Sequence, residues 1–228
     1  MKSTDGSETA KRRAAERAAE AVDDGMVVGL GTGSTAAHAI RALGWAVDAG
    51  LDVRGVATSY ASAALAREVG LPLTTLEDVA RVDVAIDGAD QFAGFDLIKG
   101  GGAAHAREKL VAGAADRFLV VVDRTKEAPA LDRTVPVEVL PSGRAAVAAA
   151  VRERGGTPVL RAAERKDGPV ITDNGNVVLD CDFGEIDDPG ALAATLSSIP
   201  GIVEHGLFVD LADEIFVGSD DGVDLRRR

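Results

Sequence analysis

The stretch VDVAIDGADQFAGFDLIKGGGAAHAREKL, residues 82–110, decides the fold that this sequence predicts. Residues 82–86 are dominated by β-branched side chains, and a glycine follows closely at Gly88, which is typical of a buried strand. Asp87 and Asp90 would then lie at the carboxyl end of that strand. Because ligands bind at the carboxyl ends of strands in open α/β sheets, we expect both carboxylates at a ligand-binding edge.

Lys99 and three consecutive glycines, Gly100, Gly101 and Gly102, precede a predicted Ala-rich helix. Three glycines expose backbone amides that can hold an oxyanion or a phosphate, at an entropic cost that an ordinary connection avoids. Glu108 lies about two turns into the helix. The apolar spacing predicts one partly buried helix face, formed by Ala104, Leu110, Val111 and Ala114.

These residues form a set with a definite chemical use. A carboxylate near a lysine and backbone donors can remove a proton beside a carbonyl, while the cation and the amides hold the developing enediolate. Glu108 and Lys99 supply such a base and cation, and no metal or redox cofactor is needed. Alone, DGAD is commonly a turn and a helical glutamate is commonly a solvated ion-pair partner, so the combination makes the argument.

A second glycine-rich motif, GLGTGST, occupies residues 29–35 between a predicted strand and a predicted helix. The helix N-terminus favours negative charge, and the turn adds the hydroxyls of Thr32, Ser34 and Thr35 beside Gly33. The motif therefore predicts a site for a phosphate or a sugar oxygen.

A dinucleotide fingerprint is the competing interpretation of GLGTGST. Ser34 stands where the third glycine of GxGxxG belongs, although Asp52 could mimic the acid that binds a ribose. The chain has no GK[ST], so a nucleotide-binding P-loop is not supported.

The motifs GLGTGST, DGADQ, KGGGAAHAREKL, VVDRTK and TDNGNVVLD occur in this order and closely resemble ribose-5-phosphate isomerase, type A. The resemblance covers about residues 11–222. It implies interconversion of ribose 5-phosphate and ribulose 5-phosphate in the non-oxidative pentose phosphate pathway, with no cofactor and no metal. It also implies a homodimer or a homotetramer.

The resemblance assigns a role to each predicted catalytic residue. It implies that Glu108 is the general base, that Lys99 and the glycine amides stabilise the enediolate oxygen, and that Asp87 and Asp90 hold substrate hydroxyls, assist ring opening and position Lys99. The substrate-binding residues that it implies are Thr32, Gly33, Ser34, Thr35, Asp87, Gly88, Ala89, Asp90, Lys99, Gly100, Gly101, Gly102, Lys126 and Lys11.

Other positions bear on the predicted pocket without a chemical role. The family has a Ser/Thr-rich turn bordering the site, here residues 58–60, and an ordinary helix cap is the competing interpretation of that turn. Gln91 stands where the family usually has Glu. His105-Ala106 stands before Arg107 where the family usually has Leu-Thr or a similar pair. These departures would change pocket polarity rather than the reaction. The Lys11-Arg12-Arg13 cluster predicts a solvated helix face, whereas the resemblance implies that Lys11 approaches the substrate phosphate.

Composition restricts the function classes. Aromatic residues make up only 4% of the chain, so the core must consist of Ala, Val, Leu and Ile, which suits a parallel α/β sheet. The net charge of −12 opposes nucleic-acid binding. With only 6 lysines among 25 basic residues, the acidic surface resembles that of halophilic proteins, and we hypothesise adaptation to salt.

Single residues and hydropathy indicate the compartment. Cys181 is the one cysteine, so no intrachain disulfide can form, and we expect it in the core. No apolar run approaches 18 residues, which predicts a soluble, cytoplasmic protein with no membrane partner. His38, His105 and His205 lack the spacing of metal ligands and are expected to be structural.

The predicted fold class is α/β: a Rossmann-like open, mostly parallel sheet flanked by helices, with a smaller inserted α+β lobe. Residues 1–131 and 203–228 form the predicted main domain with the active site, and residues 132–202 form the lobe. Within the lobe, GPVIT (168–172) and NVVLDCDF (176–183) are predicted strands joined by a tight turn at Asn174-Gly175.

Two alternative functions come from other classes. Related folds occur as non-catalytic phosphosugar-binding modules in bacterial sugar regulators, but no helix-turn-helix domain fits this chain and its acidity opposes DNA. A dehydrogenase is the third possibility, and the fold alone does not choose among the three.

Overall fold

The computed structural model describes residues 7–228, so the first six residues of the predicted main domain lie outside the described residues. The chain divides into two compact units. The first unit contains Asp90–Ala106 and Ala128–Val209. The second contains residues 7–89, Arg107–Glu127 and Asp210–Arg228.

Fourteen strands and six α-helices are described in this range. The strands are β1 (Val27–Leu30), β2 (Arg54–Ala57), β3 (Leu73–Thr74), β4 (Val82–Asp87), β5 (Gln91–Ala93), β6 (Asp96–Ile98), β7 (Ala115–Asp123), β8 (Val135–Val139), β9 (Thr157–Leu160), β10 (Val177–Asp182), β11 (Ile202–His205), β12 (Leu207–Phe208), β13 (Glu214–Gly218) and β14 (Val223–Arg227). The helices are α1 (Glu8–Ala19), α2 (Ser34–Asp48), α3 (Tyr60–Glu68), α4 (His105–Gly113), α5 (Arg144–Glu153) and α6 (Pro189–Ser197). Arg124–Lys126 and Pro141–Gly143 form short 3-10 turns.

The second unit is built on a seven-stranded sheet in the order β14-β13-β7-β4-β1-β2-β3. Every neighbouring pair is parallel except β13 and β14. Helices α1, α2 and α3 pack against this sheet. Strand β1 is buried throughout, and β7 is buried from Phe118 to Asp123 with mostly aliphatic residues, as expected for parallel strands covered on both faces. This architecture confirms the predicted Rossmann-like, mostly parallel α/β fold.

The first unit contains a four-stranded antiparallel sheet, β11-β8-β10-β9, and a three-stranded sheet, β12-β6-β5. The centre of the core of this unit contains three valines at alternate positions of β8: Val135, Val137 and Val139. The predicted lobe of residues 132–202 lies within this unit. That the lobe folds as a separate domain, with the main domain at 1–131 and 203–228, stays a prediction.

Two local predictions were wrong, and one element was missed. GPVIT makes only isolated bridges, Ala162 to Pro169 and Ile171 to Val177, because the segment turns back on β9 and leaves Ile171 48% exposed. Leu110 is 62% exposed, whereas the predicted helix face buried it. The β5–β6 hairpin was not predicted, because strands of three residues are too short to show an alternating pattern.

Two other predictions were confirmed. Cys181 is fully buried in the core of the first unit, and burial raises the pKa of its thiol to about 12. The Asn174-Gly175 turn is present: the Gly175 amide donates to the Thr172 carbonyl at 2.9 Å, and Gly175 has a φ of 83°.

None of the helices in residues 7–228 has the length and hydropathy that a membrane crossing requires.

Candidate active site

The carboxyl end of β4 contacts the glycine-rich turn of residues 29–35, and both belong to the second unit. Asp87 is 3% exposed, and its Oδ1 accepts hydrogen bonds from the amides of Thr32 at 3.0 Å and Gly88 at 2.7 Å. A Cβ on Gly31 would lie 2.2 Å from the same oxygen. Only glycine therefore allows the turn after β1 to approach Asp87 this closely.

The hydroxyl of Thr32 is fixed by the turn that precedes α3. Its Oγ1 lies 2.8 Å from the hydroxyl of Thr58 and donates to Ser59 Oγ at 2.8 Å. Ser59 is also the N-cap of α3 and forms a capping box with Ser62. The predicted helix cap is thus confirmed at Ser59, which also holds the Thr32 hydroxyl. That this turn borders the substrate site stays a prediction.

Gly33 is the N-cap of α2, so the first turn of that helix begins at Ser34 and contains Thr35. A φ of 116° at Gly33 is accessible to glycine and strained for other residues. The strand, the glycine turn and the helix N-terminus predicted for residues 27–35 are therefore all present in the second unit. That they bind an anion stays a prediction.

The first unit contains Asp90 and the glycine loop, residues 99–102. Oδ2 of Asp90 accepts a hydrogen bond from the Gly101 amide at 2.7 Å, and the amide of Asp90 donates to the Ile98 carbonyl at 2.8 Å. Asp90 thus ties the loop to the end of the β5–β6 hairpin. Because the Gly101 amide is engaged by Asp90, the predicted oxyanion donors reduce to Lys99 and the other loop amides.

Lys99 is 3% exposed in the first unit. Its amide donates to the Gly206 carbonyl at 2.8 Å, and its Nζ lies 5.4 Å from the centre of the Phe208 ring. That distance permits a cation–π interaction. A Cβ on Gly206 would lie 2.2 Å from the Lys99 carbonyl oxygen, so a glycine is required for this approach.

Glu108 lies in the first turn of α4 and is 5% exposed, in the second unit. The helix packs closely on β1, since a Cβ on Gly29 would lie 2.5 Å from Val111 Cγ1. A carboxylate is costly to bury, and burial of this kind is a property of functional or paired groups.

The remaining predicted lysines also belong to the second unit. Lys11 is 5% exposed and forms an ion pair with Glu8 at 2.9 Å, so the predicted solvated face was wrong for this residue. The hydrogen bond from Lys11 lowers the pKa of Glu8. Lys126 is half-buried in a 3-10 turn capped by Asp123, whose Oδ1 accepts from the Thr125 amide at 2.9 Å.

The two departures from the family pattern have structural roles in the first unit. Gln91 Oε1 accepts from the amides of Asp132 at 2.9 Å and Arg133 at 3.0 Å, and its Nε2 donates to Asp132 Oδ1. A glutamine suits this position because it both donates and accepts. His105 is fully buried, and a Cβ on Gly100 would lie 2.7 Å from its Nδ1.

Sequence reasoning missed Arg161 and Asp180. Arg161 Nη1 donates to the carbonyls of Gly100 at 2.9 Å and Gly101 at 3.3 Å, and its Nε donates to Asp180 Oδ2 at 2.9 Å. Both residues line a cavity of about 170 Å³ with Asp90, Gly101 and Arg133. No local signal marks Arg161, which stands at the end of an ordinary strand pattern, GTPVLRA.

Comparisons with known proteins bear on the reaction. The sequence profile of the family "Ribose 5-phosphate isomerase A (phosphoriboisomerase A)" matches residues 54–222. The chain is 65% identical to ribose-5-phosphate isomerase A of Halorubrum lacusprofundi, with full coverage of both chains.

Two solved structures are also similar. Ribose 5-phosphate isomerase A of Methanocaldococcus jannaschii has a TM-score of 0.93 at 44% identity, covering 97% of this chain and 99% of its own. A D-ribose-5-phosphate isomerase in complex with phospho-erythronic acid has a TM-score of 0.94 at 41% identity, with the same coverage.

Sequence and fold agree with this family over nearly the full length of the chain, which removes the regulator and dehydrogenase alternatives. The protein is an isomerase that interconverts ribose 5-phosphate and ribulose 5-phosphate. The chain belongs to the family of ribose 5-phosphate isomerases A.

Proposed function

We propose that the isomerisation proceeds through an enediolate, without cofactor or metal, and that Glu108 is the general base. Glu108 removes the proton from C2 of the open-chain aldose, and the electron pair moves to give the enediolate. The same carboxyl returns the proton to C1, while the C1 oxygen gains and the C2 oxygen loses a proton. The burial of Glu108 and Lys99, 5% and 3% exposed, is the observation that supports these roles best.

Lys99 stabilises the negative oxygen of the enediolate in this proposal. A buried ammonium is worth more to a developing oxyanion than a solvated one, because little water screens it. Asp87 and Asp90 hold substrate hydroxyls and assist ring opening. The contacts of both carboxylates support this assignment. Asp87 accepts a hydrogen bond from the Thr32 amide and Asp90 from the Gly101 amide, so each also fixes a glycine-rich backbone segment.

We further propose that the substrate phosphate binds the motif at the start of α2 and the lysines of the second unit. The helix N-terminus and the turn hydroxyls support this assignment. Phospho-erythronic acid, bound in a related isomerase, belongs to the same chemical class of phosphorylated sugar acids and sugars. The residues proposed to bind the substrate are Thr32, Gly33, Ser34, Thr35, Asp87, Gly88, Ala89, Asp90, Lys99, Gly100, Gly101, Gly102, Lys126 and Lys11.

The general base is tested with Glu108→Gln, whose amide cannot take a proton. Purified protein and ribose 5-phosphate are incubated in D2O, and the sugar is followed by proton NMR. We expect the wild type to form ribulose 5-phosphate with solvent deuterium at carbon, and the variant to lose about 10²- to 10⁴-fold in turnover. Glu68→Gln, an exposed glutamate of α3, is the matched control and should retain full turnover.

Two outcomes would remove these assignments. Turnover of Glu108→Gln close to that of the Glu68→Gln control would exclude Glu108 as the base. Lys99→Ala tests the cation in the same assay. If this variant loses thermal stability but keeps its turnover, Lys99 is a structural residue.

The assembly and the compartment are also proposals. We propose a homodimer or a homotetramer in the cytoplasm, acting on a phosphosugar and on no nucleic acid or membrane. Family membership and the net charge of −12 support this view. Sedimentation equilibrium in buffers of molar salt measures the mass directly, and a mass near the 23.4 kDa of one chain would contradict the oligomer.

A further inference from the structure

Arg161 is held rigidly within the first unit. Its amide donates to the Val178 carbonyl, and its own carbonyl accepts from Val170, both at 2.9 Å. Its side chain is 13% exposed. The residue directly follows β9, so the antiparallel sheet fixes the backbone position from which the side chain extends.

Asp180, on the neighbouring strand β10, fixes the direction of the guanidinium. Nε of Arg161 donates to one carboxylate oxygen of Asp180 at 2.9 Å, and Nη2 donates to the other. This is a two-point pair, which holds the guanidinium plane in one orientation. The third guanidinium nitrogen, Nη1, is not used by Asp180 and donates to the carbonyls of Gly100 at 2.9 Å and Gly101 at 3.3 Å.

The glycine loop that receives these hydrogen bonds has an unusual backbone. Gly100 has a φ of 102°, and Ala103 has a φ of 59°, a left-handed conformation that costs a residue with a Cβ about 1–2 kcal/mol. The Ala103 amide closes the loop onto the Gly100 carbonyl at 2.9 Å. Such conformations persist where surrounding contacts enforce them.

The two carbonyls also decide where two amides point. A trans peptide is planar, so its N–H points away from its C=O. The carbonyl of Gly100 and the amide of Gly101 belong to one peptide plane. Arg161 donates to that carbonyl, and that amide donates to Asp90 at 2.7 Å, so the plane is held from both sides. The carbonyl of Gly101 likewise sets the direction of the Gly102 amide.

We infer that Arg161, held by Asp180, is a positioning residue that orients the glycine loop next to Lys99 for the isomerisation. The inference rests on the proposed role of Lys99 and the loop amides in holding the enediolate. Arg161 touches no reacting atom in this proposal. It acts through peptide planes that must be correctly oriented when charge develops on the substrate oxygen.

The test compares Arg161→Gln and Arg161→Lys with Arg154→Gln. Arg154 also donates to a backbone carbonyl, that of Ala150 at 2.9 Å, but at the end of α5. Misplaced catalytic groups cost about 10²-fold, so we expect kcat of Arg161→Gln to fall by about 10- to 100-fold with KM changed less than about threefold. Lysine has no planar fork, so Arg161→Lys should restore little, and the Arg154→Gln control should match the wild type.

Two further measurements separate positioning from general destabilisation. Guanidinium ions at tens of millimolar should raise kcat of Arg161→Ala and leave Arg154→Ala unchanged, and Asp180→Asn should lower kcat in the same direction as Arg161→Gln. Unchanged kcat in Arg161→Gln, or a loss without guanidinium rescue, would overturn the inference. Lys99→Ala is measured alongside: if it retains full turnover, the proposed role of the loop fails, whereas its inactivation beside an active Arg161→Gln refutes the Arg161 inference alone.

Discussion

Gly31→Ala is expected to affect both stability and turnover. The added Cβ would lie 2.2 Å from Asp87 Oδ1 and 2.6 Å from Asp87 Cα. The clash is with backbone as well as side chain, so rotation of Asp87 alone does not relieve it. The turn after β1 or the end of β4 must move.

The magnitude follows from the packing of this edge. Overpacking at a buried site costs about 1–3 kcal/mol, which for a chain of 228 residues lowers Tm by roughly 2–12 °C. The movement also lengthens the hydrogen bonds from Thr32 and Gly88 to Asp87. Turnover should therefore fall by more than the loss of stability alone explains.

Gly113→Ala is the matched control. A Cβ on Gly113 meets no atom within 4 Å, and the residue lies in the last turn of α4. Alanine there should leave stability unchanged or raise it by about 0.5–1 kcal/mol, since glycine is a poor helix former. Thermal unfolding followed by circular dichroism, with isomerase assays on the same samples, measures both effects. If Gly31→Ala melts with the wild type and turns over normally, the close approach to Asp87 is not a real constraint.

Two further predictions concern charge in the first unit. The pKa of the Cys181 thiol is raised to about 12 by burial, above its ordinary 9.0, so folding stability should fall as pH rises from about 9 to 12. Urea unfolding at pH 8 and 10 should show this loss in the wild type and a smaller loss in Cys181→Ala; equal losses would contradict it. Gln91→Glu places a carboxylate against Asp132 and should cost about 1–3 kcal/mol at neutral pH. The repulsion raises the pKa of the new carboxyl, so the cost should shrink as the pH falls from neutral toward about 4 in the same unfolding assay, and a pH-independent cost would contradict this reasoning.

Local sequence patterns predicted the main sheet and the local structure around several candidate site residues. The aliphatic run at 82–86 became β4, and Asp87 lies at its carboxyl end as expected. The strand, glycine turn and helix around Gly33 also formed as predicted. These features depend on neighbours within a few residues, which is why periodicity and glycine spacing could indicate them.

Other features depended on contacts that no local pattern encodes. Lys11 is buried although its helix face is basic, and Leu110 is exposed although its spacing predicted a buried face. GPVIT has the composition of a strand, yet it finds no continuous partner and forms only isolated bridges. In each case tertiary contacts outweighed local preference.

The sequence alone thus predicted which residues could carry the reaction: the carboxylates of DGAD, the lysine and glycines of KGGG, and Glu108. Tertiary structure alone decided how the glycine loop is held. Arg161 reaches Gly100 across 61 positions of sequence, and Asp180 aligns it from a neighbouring strand. A hydrogen bond depends on distance and direction in space, and only the pairing of β9 with β10 brings these groups within 3 Å of each other.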